Sequence, residues 1–146
     1  MTEYLNGAIS TFQIDENLTG FGALSSLVIG MKDDYMKNLS MKNLVANFDF
    51  FYENEYPDLP IVNKFEQAAQ EINNKFEDII QKGIDDKSIK EDINPRLYGC
   101  LIGNMGATFG NRTALRRAIL TRNQKIDPFE EFCLALDLIL NALVNN

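Results

Sequence analysis

Apolar residues recur along this chain at steps of three and four, the period of a helix that buries one face. Tyr4, Leu5, Ala8, Ile9 and Phe12 form a first short stripe, and Leu18, Phe21, Leu24, Leu27, Val28 and Met31 a second. Met41, Leu44, Val45, Phe48, Phe51, Tyr52 and Tyr56 form a third, with Ser40 as its cap and Pro57 and Pro60 at its end. The longest stripe, Phe65, Ala69, Ile72, Phe76, Ile79 and Ile80, predicts a helix from Pro60 to Gly83. A polar turn at Asp85, Asp86, Lys87 and Ser88 follows, and Ile89 turns back into the core. Asn94 and Pro95 then open a new helix as cap and first residue. Asn111 to Arg122 continues as a further helical stretch, bent near Gly110. Asp127, Pro128 and Glu130 open the last helix in a capping-box arrangement. No strand pattern competes. The pattern predicts one all-α domain over residues 1–146, a bundle of about six helices.

Two of these helices depart from one-sided burial. From Phe132 to Val144 only Asp137 and Asn141 are polar, too little for a helix with a wet face. The stretch is also shorter than the roughly 20 apolar residues of a membrane span. In the preceding helix Gly99, Gly103, Gly106 and Gly110 fall on one narrow arc, and no charge lies between Leu97 and Gly110. Each interior glycine costs about 1 kcal/mol relative to alanine, so the arc implies close approach of another backbone. A second copy of the chain satisfies both demands. The expected dimer seam uses Gly99, Gly103, Gly106, Phe132, Leu136, Ile139, Leu140 and Leu143, in a two-fold arrangement of the last two helices.

Composition narrows the chemistry. The net charge of −7 argues against this chain gripping nucleic acid directly. Arg112, Arg116, Arg117 and Arg122 cluster, and an ion-paired, solvated face outweighs an anion site as their reading. Cys100 and Cys133 lie in apolar helical stretches; with no secretory segment read at the N-terminus, they suit reduced thiols in the cytoplasm. The chain has no histidine, which removes the commonest general base and every His-dependent triad or di-iron motif. No enzyme activity, cofactor or metal is therefore expected. Asp49 and Glu53 share a helix face and were weighed as a cation site, against the plainer reading of surface acids flanking a buried stripe.

The order of features resembles the C-terminal domain of TetR-family transcriptional regulators. LVANFDFFYENEYPDLP, residues 44–60, is similar to the segment that carries an "FD…YP" signature in some members. Residues 75–107 resemble the family's long helix, turn and next helix, whose pattern is roughly I-x-x-G-I-x-D-G-x-I-x-x-D-x-x-P. Ile80, Gly83, Ile84, Asp86, Ile89, Asp92 and Pro95 match it, and Lys87 stands where the family usually has the turn glycine. The likeness runs over about residues 18–146. The basic helix-turn-helix reader with which such proteins open has no counterpart in this sequence. The resemblance implies a TetR-like bundle dimerising through its last two helices and holding a small hydrophobic effector. In such a repressor, effector binding favours a spacing of the paired readers that no longer fits operator DNA. The pocket is expected among the helices near residues 18–31, 40–56, 61–83 and 95–110. Its expected lining is Phe21, Leu24, Val28, Phe48, Tyr52, Phe65, Met105 and Phe109, with the Tyr52 hydroxyl as polar contact. The competing class is a stand-alone helical interaction or adaptor domain without a ligand, its aromatics simply filling the core.

Overall fold

The computed structural model describes residues 14–52 and 54–145. Among them the chain forms five α-helices: α1 (Gly20–Lys37), α2 (Leu39–Phe51), α3 (Pro60–Asp85), α4 (Pro95–Gln124) and α5 (Pro128–Leu143). No strand is present among the described residues; an isolated antiparallel bridge joins Ile89 to Val144. The short stripe expected from Tyr4 to Phe12 lies outside the described residues.

Helix starts follow local chemistry. The Thr19 side chain accepts from the Gly22 amide at 3.1 Å and opens α1. Asn94 and Asp127 cap α4 and α5 by accepting from Leu97 and Phe129, each cap followed by proline at the first helical position. Ser40 is not a cap: α2 starts two residues earlier, from Asn38, without a side-chain cap bond. That helix stops at Phe51 rather than Tyr56, and residues 54–59 are non-helical up to Pro60. α4 continues unbroken through Gly110, so the stretch expected as two pieces is one helix of 30 residues.

α4 is the hub and packs against each of the other four helices. The core lies at one end, where Leu24, Val28, Phe76, Ile79, Ile80, Ile102, Leu136 and Leu143 are buried. The α3–α4 turn anchors this end. A Cβ at Gly20 would stand 2.1 Å from the Gly83 amide nitrogen, so the two helices meet backbone to backbone. The Gly20 and Phe21 amides, otherwise orphaned at a helix start, donate to Asp86 Oδ2 at 2.7 Å and Ser88 Oγ at 3.0 Å. Ile89 lies against Gly83 and is buried. Gly83, Asp86, Ser88 and Ile89 thus form one structural unit with the start of α1. Lys87, at the usual glycine position, has φ 65°, the left-handed conformation that glycine adopts without strain.

The glycine arc of α4 receives neighbours from its own chain. Gly99 admits the α3 backbone, with a Cβ there only 3.0 Å from the Glu77 nitrogen. Gly103 faces Asn73, Gly106 faces Met31, and the Lys42 side chain crosses Gly110. Phe132, Leu136 and Leu143, expected in a dimer seam, are buried within the single chain; Ile139 and Leu140 pack partly buried against the same core. Leu134 and Leu138 form the exposed side of α5 instead, and Leu97, Leu101, Leu115 and Ile119 form an exposed stripe along α4.

Candidate functional site

Away from the core end, the helices separate around a cavity of about 550 Å³. Its walls are the C-terminal half of α1, the length of α2, the first half of α3 and the middle of α4. α1 contributes Leu27, Gly30, Met31, Asp34 and Tyr35, and α2 contributes Lys42, Val45 and Asp49. Phe65, Ala69, Ile72, Asn73 and Phe76 enter from α3, and Gly103, Gly106, Ala107 and Asn111 from α4. Tyr56, in the non-helical segment before α3, and Phe132 of α5 complete the wall. The cavity reaches solvent at Ser26, Glu66, Gln70 and Asn104, all exposed. Its size matches that of small-molecule sites, and its walls mix apolar surface with a few polar groups.

Small residues border the space. Gly30, Ala69 and Ala107 line it, and at Gly103 and Gly106, also in the wall, the Asn73 and Met31 side chains take up the room. A Cβ on Gly30 would meet nothing within 4 Å. Bulky residues brace the rim. Phe48, Tyr52, Tyr56 and Phe65 form a ring cluster, with Phe48 centred 4.9 Å from Tyr52 and 5.1 Å from Tyr56. On the other side Tyr35 stacks on Phe132 at 4.4 Å. Its hydroxyl meets the Phe109 carbonyl at 3.0 Å and the Thr113 hydroxyl, tying α1 to α4. Burial, chiefly, pushes the Tyr35 hydroxyl above its usual pKa, so it stays protonated and able to donate.

The charged lining is predominantly acidic. Asp34, Asp49 and Glu66 face one base, Lys42. Lys42 Nζ lies 3.8 Å from Asp34 Oδ2, and burial is the main cause that lowers its pKa, opposed by Asp34. Asp49 is held by neutral donors: the Tyr56 hydroxyl on Oδ1 and the Asn111 amide, at 3.2 Å, on Oδ2. Burial first, then the bond to Asp49, drives the Tyr56 hydroxyl far above its ordinary range. No group of three or more Cys, Asp or Glu residues able to hold a metal occurs among the described residues.

Of the expected lining, Phe65 borders the cavity. Leu24 and Val28 are instead fully buried in the solid core, and Phe21 packs against it. Phe48 and Tyr52 stand behind Tyr56 in the ring cluster, Phe109 lies against Phe132 at 5.8 Å, and Met105 is half-buried on α4. The Tyr56 hydroxyl, rather than that of Tyr52, reaches a lining carboxylate. Asp49, weighed against the reading of a surface acid, is half-buried in the cavity wall; Glu53 lies outside the described residues.

Elsewhere the acid–base chemistry is structural. Arg117 pairs with Asp127 at 2.5 Å, holding the α5 cap and the Asp127 carboxyl below its usual range. Cys100 and Cys133 are half-buried free thiols, and burial raises the pKa of Cys133. No helix among the described residues is long and apolar enough to cross a membrane. Comparison of the chain with protein-family models, curated proteins and solved structures found no match.

Proposed function

We propose that this chain is the effector-sensing and dimerisation domain of a TetR-type transcriptional regulator. The observation that supports sensing is the cavity of about 550 Å³ among α1 to α4, unfilled beside Gly30. Ligand binding there stabilises whichever arrangement of α1, α2 and α4 fits the ligand best, the physical requirement for a switch. DNA contact belongs to a helix-turn-helix reader outside this sequence. The exposed leucines of α4 and α5 favour a homodimer, since covering them removes apolar surface from water.

Native mass spectrometry of protein taken gently from cells tests the sensing reading. The expected result is a retained small molecule that dissociates on denaturation, and a higher melting temperature when it is added back. The second reading, a ligand-free interaction domain, is favoured by Phe50 and Phe51, which are 82% and 76% exposed beside exposed Leu44. A protein without retained ligand, which no member of a small-molecule panel stabilises, supports that second reading. Sedimentation equilibrium at micromolar concentration tests the dimer, and a clean monomer counts against it.

A further inference from the structure

The ligand class can be read from the charges that line the cavity, given that the cavity is the sensing site. The geometry points to an organic cation, an amine or quaternary ammonium on an apolar body, with its charge received by Asp49 beside the rings of Tyr56 and Phe65. Three carboxylates and one ammonium line the space. The ammonium, Lys42, lies against Asp34. Asp49 forms no ion pair with a lysine or arginine among the described residues; its described side-chain partners are Tyr56 and Asn111. A carboxylate has about four acceptor positions, so two neutral donors leave room for a ligand's N–H groups. Partly removed from water, with neutral groups as its described hydrogen-bond partners, the charge favours a cation beside it.

The surroundings agree with that choice. Tyr56 and Phe65 line the cavity with ring centroids 6.3 Å apart, and aromatic rings attract cations through their faces. Leu27, Met31, Val45 and Ile72 offer the apolar body its contacts. An anionic head is the poorer fit: it would have to share Lys42 with Asp34 and sit in a space where carboxylates outnumber the ammonium.

A head-group series on one body tests this. Phenylbutylamine, phenylbutanol and phenylbutyrate are titrated calorimetrically into the intact protein at neutral pH. The amine is expected to bind at least about tenfold tighter than the alcohol. Asp49→Asn should remove that preference, bringing the amine's affinity down at least about tenfold into the range of the alcohol's. Equal binding of amine and alcohol would overturn the cationic assignment and leave the cavity reading intact. Tightest binding of the butyrate would also overturn it and move the head-group contact to Lys42. Binding by none of the three would remove the cavity itself as a site. Circular dichroism checks the folding of Asp49→Asn, and the series on the unsubstituted protein decides the matter if that variant does not fold.

Discussion

Two glycines on α1 stand in opposite surroundings. Gly20 touches the α3 backbone so closely that a Cβ would lie 2.1 Å from Gly83, whereas a Cβ on Gly30 would meet no atom within 4 Å. One end of the molecule is packed solid, and the other encloses a cavity. Unfilled space forfeits dispersion contacts along its whole lining. A chain that can pack one end to contact has kept the other open at a cost in stability, which points to use of the opening.

The largest expected effect breaks this contrast directly. Gly20→Ala should destabilise the fold by about 3 kcal/mol through overpacking against backbone that cannot yield. Gly30→Ala should stabilise it by up to about 1 kcal/mol, because alanine is the better helix former and finds open space. Chemical denaturation of both variants measures the difference, and equal midpoints would show that the two ends are packed alike.

Next comes the acid that seats α1. Asp86→Ala removes the acceptor of the Gly20 amide and should cost about 1–2 kcal/mol, as the loss of a helix cap does. Hydrogen bonding from Ser88, opposed by burial and assisted by the Gly20 amide, holds the Asp86 carboxyl below its usual range. A depressed pKa means that its contribution is present above the unfolded value of about 4 and lost as pH falls through the lower folded value. The melting-temperature gap between native protein and Asp86→Ala should therefore be full near neutrality and close on acidification.

Filling the hollow end sharpens the comparison. Ala69→Leu projects into the cavity and should stabilise by about 1 kcal/mol while weakening phenylbutylamine binding. A loss of more than about 2 kcal/mol would show that the space is closed in solution. The smallest effect is expected at the turn: Lys87→Gly relieves a left-handed lysine and should gain about 0.5–1 kcal/mol, read from the denaturation midpoint.

What the sequence discloses follows from the range of each interaction. The caps at Asn94 and Asp127 were legible because a cap needs only its own next few residues. The turn from Gly83 to Ile89 was legible as a motif for the same reason. Periodicity says that a face is buried but not what covers it. The arc at Gly99 and Gly103 therefore suggested a second chain, where α3 supplies the cover. The site was the least legible part. Bulky inward residues point to core as readily as to a pocket, and Leu24 and Val28 fill space by their very bulk. A cavity opens where bulk is missing, and Gly30, Ala69 and Ala107 are the better markers. Asp49 stood on the correct helix, but its partners Tyr56 and Asn111 are set by tertiary packing.

The α3–α4 turn also receives the far end of the chain. Lys90 donates from its backbone to Leu143 and from its side chain to Ala142, while Asn145 donates to Ser88 and Lys87. The same turn holds the start of α1 through Asp86 and Ser88. Segments distant in sequence thus converge on a few central residues, and each attachment closes a long loop. Such closures have an entropic cost before they return any contact energy. Once closed, the junction ties the fraying of either end to the opening of the middle, and amide exchange at Gly20, Phe21 and Asn145 should report one shared event.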